Sequence, residues 1–476
     1  MENQNPKSKI LPAIVLLAFA LRLLQLGFQP LWWDEGYSVY FAAQDWVSLT
    51  LATAADIHPP FYYYLLHLWM ALLGTGDVSL RLLSVVIGTL SVPILYVVGR
   101  RLVGEKAALL AAFLLAISPF HVYYSQEVRM YTLAMLLGLL SVYFACSMFS
   151  SSRLDTHALH AQQTTKTSLR GPQPEAIPYP QEIASPSARN DGVRAILASA
   201  IRARETWNVV GYVLATSLAM YTLYYAAFIP LFQTIFVLIF WRRHRPLIGK
   251  WLAAQAILAL LYLPWIALAG NILVNYVGAK MVVEARIPLS LPTYLLDHLV
   301  AFGLGHLSST WGWLAWGSLA FLALAVWGAI TTETQSARKF SAEAGTPHRQ
   351  TTPPQQVENS VEDSVRKTWL LLWLMVPLTV GYCMNIFYPF NPVGYQRFML
   401  YALPAFLLLV ARGMAALGNQ PGAVRNLPPT TTEVLDAELE RLQRMPGVRQ
   451  AQSAIRNPQS KIQNPKLVPS EREGSK

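Results

Sequence analysis

Residues 80–98 read LRLLSVVIGTLSVPILYVV, with Arg81 the single charge, and the chain turns basic just beyond, at Arg100 and Arg101. A bilayer hydrocarbon core of ~30 Å takes about 20 predominantly apolar residues per helix, so this stretch predicts a membrane-spanning helix. The whole chain has the matching composition. Of its 476 residues 54% are apolar and only 13% charged, about half the ~25% charged share usual in soluble domains. Its mean hydropathy is +0.34. A soluble fold has too few charges to cover that much apolar surface. A soluble nucleotide-binding enzyme, a nucleic-acid-binding domain and a disulfide-knit secreted module are therefore excluded. Cys146 and Cys383 both lie in apolar stretches and give neither a disulfide framework nor a zinc site. The predicted class is an all-α polytopic membrane protein.

Further apolar runs lie at about Leu11–Phe28, Ala107–Tyr124, Met130–Phe149, Val209–Tyr224, Ala226–Trp241, Trp251–Ala269, Trp311–Ile330, Trp369–Phe387 and Phe398–Ala416, which brings the expectation to ten spans. Leu11–Phe28 lacks a small-residue cleavage site and is expected to stay as the first helix. Lys7 and Lys9 place the N-terminal end in the cytoplasm. Arg100, Arg101, Lys106, Arg242, Arg243, His244, Arg245, Arg366 and Lys367 then fall on that same side, as the positive-inside rule requires. The net charge of +11 thus reads as orientation and contact with membrane lipids, not as affinity for nucleic acid. Pro60–Gly74 and Ser290–Leu304 are apolar but short, and are expected as interfacial helices on the outer side; twelve spans result if both cross. The expected organisation is a membrane core with external loops over 1–149, a cytoplasmic low-complexity insertion over 150–205, a central core over 206–330, a polar cytoplasmic insertion over 331–368, final helices over 369–418, and a mostly disordered cytoplasmic tail over 419–476 with one helical candidate, Thr431–Met445.

Polar groups gather on the predicted outer side. Asp34 and Glu35 are adjacent carboxylates just past the first span, and near lipid such a pair is costly unless bonded, paired or metal-bound. The plain alternative is a wet loop in which Asp34 caps a helix. Asp56-Ile57-His58-Pro59-Pro60 holds His58 near the membrane surface by stiffening the chain into a helix start. Glu127 and Arg129 share a brief loop, as ligand-handling groups or as a simple ion pair. Tyr221–Tyr225 adds tyrosines, and Asn391–Phe398 brings Tyr395 and Arg397, whose planar fork suits phosphate oxygens. Arg22, inside the first span, is expected to snorkel outward or to pair. A carboxylate that takes a hydroxyl proton, arginines that meet a departing phosphate, and aromatic faces are the inventory of glycosyl transfer at a membrane surface.

The ordered series WWDEGY at Trp32–Tyr37, DIHPPFYYYLLHLW at Asp56–Trp69, SLRLLSVVIGTL at Ser79–Leu90, YYSQEVRMYTL at Tyr123–Leu133 and YQRFML at Tyr395–Leu400 resembles bacterial GT-C glycosyltransferases, in the branch of the protein O-mannosyltransferases and the lipid A aminoarabinose transferases. The resemblance covers about Leu11–Ala416 without the two insertions. It implies a GT-C fold of ten to twelve membrane helices with external juxtamembrane helices. It also implies a membrane hexosyl- or pentosyltransferase that moves a sugar from a polyprenyl-phosphate donor to a lipid, glycan or protein hydroxyl on the extracytoplasmic side of the inner membrane, with inversion. By that resemblance Asp34 is the catalytic base, Glu35 supports it or binds acceptor, and Glu127 steers a substrate. His58, Arg129, Arg397 and Tyr395 bind the donor phosphate or sugar. Asp34 and Glu127 are the candidate ligands if a divalent cation, Mg or Mn, takes part. The other readings are a lipid-linked sugar flippase and a dedicated protein O-mannosyltransferase.

Overall fold

The computed structural model describes residues 9–56, 58–168, 186–284, 287–306, 316–331, 353–389, 392 and 394–418, without the side chains of 150–198, 200–202, 280–284 and 353–356. These residues form helices and no strand. In chain order they are α1 Ile10–Leu23, α2 Trp33–Ala42, α3 Trp46–Ala55, α4 Phe61–Leu73, α5 Asp77–Val103, α6 Glu105–Ile117, α7 Pro119–Ser125, α8 Tyr131–Ser168, α9 Pro186–Met220, α10 Phe228–Ile239, α11 Arg245–Glu284, α12 Leu291–Leu304, α13 Gly317–Ile330, α14 Pro353–Phe387 and α15 Leu403–Gly418, with 3₁₀ turns at Tyr224–Ala227 and Tyr395–Ala402. The tail candidate Thr431–Met445 lies outside the described residues, as do 169–185 and 332–352 of the two expected insertions.

Among the described residues five segments are long and apolar enough to cross a membrane: Asp77–Val103, Tyr131–Phe149, Arg245–Ala279, Val357–Phe387 and Tyr395–Gly418. The protein is thus a multi-pass membrane protein. The stretch expected as one span at Ala107–Tyr124 is broken into α6 and α7 with a 56° bend. The break has a local cause, because Pro119 starts α7 and the Ser118 hydroxyl caps it by accepting the His121 N–H. Counted as one, that bent pair makes six spans. The other apolar helices are shorter than the sequence runs that contain them. α1 stops at Leu23, with Gln25 at positive φ, and α4 and α12 have only 13 and 14 residues.

α5, the Tyr131–Phe149 part of α8 and the Tyr395–Gly418 segment are mostly buried, whereas the apolar Arg245–Ala279 part of α11 is mostly exposed, as expected of a helix that faces lipid tails. α5 packs on α1, α6 and α8, and α15 packs on α6 and α13. The α13–α15 contact depends on small residues. A Cβ on Gly328 would strike Leu409 O, and one on Gly413 would strike Leu324 O. Backbones approach this closely in membranes because dispersion, not water exclusion, must hold the helices together. Arg22 does not snorkel. It is fully buried, donates to the end carbonyls of α6 at Leu115 (3.2 Å) and Ala116 (3.1 Å), and lies 2.7 Å from His121 Nδ1. It adds a donor to each of these end carbonyls, of which Leu115 O also accepts the Ser118 N–H at 3.4 Å.

Candidate active site

The site is built on the first turn of α2. Glu35 occupies the third helical position, and its Oε2 accepts the Trp32 backbone N–H at 3.2 Å. The same carboxylate, fully buried, takes both prongs of Arg81, Nε to Oε1 at 3.0 Å and Nη2 to Oε2 at 2.7 Å. Its Oε1 also accepts the Val128 N–H at 2.9 Å. Arg81 meanwhile donates to the carbonyls of Leu26, Gln29 and Pro30. Glu35 therefore spends its acceptor capacity on joining α2, α5 and the loop after α7.

Asp34, one position earlier, points elsewhere. Its side chain is 27% exposed, and its Oδ2 accepts from Arg397 Nη2 at 3.2 Å. Trp32, not Asp34, is the cap residue of α2. The Asp34 carbonyl accepts Arg129 Nη1 at 3.1 Å, and Arg129 also reaches Ser38 Oγ at 3.3 Å and His58 Nε2 at 3.1 Å. Because a guanidinium only donates, His58 Nε2 must be the acceptor. The ring proton then sits on Nδ1, which donates to Asp56 Oδ2 at 2.9 Å. Burial lowers the His58 pKa; the Asp56 bond opposes this and the Arg129 charge adds to it. His58 thus links Arg129 to Asp56 through its two ring nitrogens.

Glu127 lies in the turn between α7 and α8, 5% exposed, and its Oε2 has no hydrogen-bond partner. Burial raises its pKa to about 7 against the pull of Arg397 and Arg129. Arg397 reaches the site from the far end of the sequence. Gly394, at φ +72°, turns the chain into the 3₁₀ segment, and a Cβ there would lie 3.0 Å from the Tyr124 hydroxyl. The segment is held by Tyr395, whose hydroxyl donates to Asp297 Oδ2 at 2.9 Å, and by Phe398, stacked on Tyr225 at 5.1 Å. Arg397 sits 5.3 Å from the Tyr131 ring and 5.9 Å from the Trp32 ring. Its Nε, like that of Arg129, is buried without a partner.

The structure therefore brings Asp34, Glu35, His58, Glu127, Arg129 and Arg397 into one cluster, with Tyr395 anchoring its edge. Of the tyrosines at 221–225 only Tyr225 joins, through Phe398; Tyr221 and Tyr224 pack with Trp265 instead. Asn391 lies outside the described residues. Sequence reasoning missed Arg81, Ser38, Asp297 and His306, whose Nε2 lies 3.1 Å from the Tyr124 hydroxyl. Arg81 did leave a signal, since a lone cation in an apolar run needs a partner. Among the described residues no three His, Cys, Asp or Glu side chains gather as a metal site. Asp34 is engaged by a guanidinium, and two guanidinium charges act on Glu127. This donor set suits an anion better than a cation.

Residues 57–159 match the family model of dolichyl-phosphate-mannose-protein mannosyltransferases. That segment holds His58, Arg81, Glu127 and Arg129, and the match agrees with the resemblance drawn from the motifs. Sequence comparison with the curated proteins finds no match. Among solved structures the chain is similar to ArnT from Cupriavidus metallidurans in the apo state (13% identity, TM-score 0.47, covering 97% of this chain and 66% of that one) and bound to undecaprenyl phosphate (14%, 0.46, 95% and 65%). It is also similar to the Archaeoglobus fulgidus oligosaccharyltransferase tethered with an acceptor peptide (13%, 0.47, 95% and 55%). The chain thus spans less than two thirds of the length of each of these structures.

Proposed function

We propose that this protein is a membrane glycosyltransferase that moves a sugar from a polyprenyl-phosphate carrier to a hydroxyl acceptor on the extracytoplasmic side of the cell membrane. The observation that supports this most is Asp34, a partly exposed carboxylate held against Arg397, beside the buried, unpartnered Nε atoms of Arg397 and Arg129. The acceptor oxygen attacks the anomeric carbon from the face opposite the phosphate. A C–O bond forms, the bond from that carbon to the phosphate oxygen breaks, and its electron pair leaves with the lipid phosphate. The hydroxyl proton passes to Asp34. Arg397 and Arg129 meet the charge that develops on the phosphate, so displacement inverts the anomeric centre.

The test is transfer in liposomes from a panel of polyprenyl-phosphate sugars to glycan, lipid and peptide acceptors, with Asp34→Asn run beside the unmodified chain. General-base catalysis contributes ~10²–10⁴-fold, and a loss of that size without loss of folded protein is the expected result. A donor that crosses the bilayer unchanged, equally well in both proteins, replaces this reading with a flippase.

A further inference from the structure

α2 carries a glycine that its own packing does not explain. Gly36 sits inside the helix, where glycine is costly relative to alanine, yet a Cβ placed there meets nothing within 4 Å. No neighbour requires a bare backbone. Its helical neighbours at i−4, i−3 and i+4 are the aromatic residues Trp32, Trp33 and Tyr40, and Tyr37 stands one turn beyond Trp33 on the same side. All four are exposed: Trp32 37%, Trp33 75%, Tyr37 45% and Tyr40 61%. Trp33 and Tyr37 brace each other edge-to-face at 5.3 Å. With no side chain at 36, the exposed rings leave bare backbone between them, a shallow cup on a strip of ~12 Å along the helix axis from position 32 to position 40. It is continuous with the candidate active site, since the Trp32 ring touches Arg397 and Asp34 lies on the flank of the same turn.

We propose that this cup is the acceptor subsite and that it takes a saccharide, one or two pyranose rings whose free hydroxyl reaches Asp34; this rests on the glycosyl-transfer reading above. A pyranose presents a face of C–H bonds, weakly positive, that stacks on the negative face of an aromatic ring, while Trp N–H and Tyr O–H meet its hydroxyls. A bare glycine lets a ring settle against the helix. Membrane-surface helices pair their apolar face with Lys and Arg that meet lipid phosphates. α2 has none, and its two charges are the carboxylates Asp34 and Glu35.

The test is saccharide binding by the full chain in detergent without donor. The probes are the methyl glycosides of glucose, galactose, mannose and N-acetylglucosamine, a β-linked disaccharide, and a Ser/Thr peptide, followed by saturation-transfer NMR and tryptophan fluorescence. At least one saccharide should bind, with transfer strongest on one ring face. Gly36→Leu, which fills the cup with a good helix former, and Trp33→Ala should each weaken it tenfold or more. Leu72→Ala, at an exposed position of α4, should leave it unchanged. An unchanged melting curve for Gly36→Leu checks that α2 is intact, and Tyr40→Ala supplies a second truncation. No saccharide binding by the unmodified chain, binding indifferent to both cup substitutions, or binding of the peptide alone overturns the proposal. So does quenching of Trp33 by brominated phosphatidylcholine in liposomes, taken as the difference from Trp33→Ala, that saccharide does not relieve. Because donor is absent, failure of the transfer assay leaves saccharide binding standing, and transfer to a non-sugar acceptor without saccharide binding removes only the cup.

Discussion

The last membrane segment has a buried arginine near each end, and the two are treated differently. Arg412, near its C-terminal end, is bonded to Asp363 Oδ1 at 2.5 Å and to the Thr331 carbonyl at 2.9 Å, while Lys367 meets Asp363 Oδ2 at 3.1 Å. Arg397, on the order of 25 Å away along the segment, shares a cluster of three arginines and three carboxylates. The bonds there are unevenly spread. Glu35 and Arg81 saturate each other, whereas Glu127 Oε2 and the Nε atoms of Arg129 and Arg397 are buried with no partner. A buried polar group left unpaired costs ~1–3 kcal/mol. A network built only to hold helices has no use for that cost; in the Arg412 network Asp363 Oδ2 also lacks a hydrogen bond, but the Lys367 ammonium lies 3.1 Å from it. On the function proposed above, the unpartnered Nε–H groups of Arg129 and Arg397 are donors suited to an anionic group.

The largest expected effect sharpens that contrast at the Arg412 end. Asp363→Asn leaves the buried Arg412 and the partly exposed Lys367 without their counter-ion, and breaking a buried pair from one side costs ~3–5 kcal/mol. Thermal unfolding in detergent should show the loss, while transfer per folded molecule stays unchanged. The double replacement Asp363→Leu with Arg412→Met should restore most of the stability. Lost transfer at full folding would make the Arg412 network part of the site and collapse the comparison.

Much of the candidate site was legible because charges in an apolar chain are few and each needs a reason. Asp34, Glu127, Arg129 and Arg397 stood out on that ground and do converge. Less legible was how the charges are shared. Asp34 and Glu35 are neighbours in sequence with the same chemistry, but one helical step turns Glu35 to the buried Arg81 and leaves Asp34 at the edge. Arg81 was visible as the one charge of Leu80–Val98, yet pairing it required knowing that α5 starts beneath α2. His58 was visible beside the tandem proline, but its bond to Arg129, 71 positions away in sequence, was not. The spans were legible as apolar runs, but their lengths were not. Proline, glycine and 3₁₀ turns divide runs that composition leaves whole, as at Ser118-Pro119.

A second, smaller effect tests the unpaired groups by pH. The Glu127 pKa is raised from 4.5 to about 7, so the folded state holds this proton more tightly than the unfolded chain. The resulting stability is complete below about pH 4.5 and is lost as pH rises through 7, on the order of 3 kcal/mol across that window. Melting temperatures of Glu127→Gln should lack this decline. Ionised Glu127 also competes for Arg129 and Arg397, so the donor KM should rise above pH 7 in the unmodified chain and stay flat in the variant. A variant that melts lower at pH 8 than the unmodified protein would show that the Glu127 charge is structural, like that of Asp363.

The smallest effect concerns His58 and has the opposite pH sign. Its pKa is lowered by burial, so folding favours the neutral ring. That contribution is present above the ordinary histidine value of ~6.5 and is lost as pH falls through the lowered folded value. His58→Gln keeps an acceptor for Arg129 and carries no charge to gain, so the acid-side loss should vanish with donor KM little changed. His58→Leu removes the acceptor and frees Arg129 to swing. A lost hydrogen bond of ~0.5–1.5 kcal/mol corresponds to a roughly two- to tenfold rise in donor KM, with kcat less affected because Asp34 is untouched. If instead both substitutions lower kcat alike and leave KM alone, His58 acts on the reacting atoms, and its neutral bond to Arg129 is a resting arrangement that the bound donor replaces.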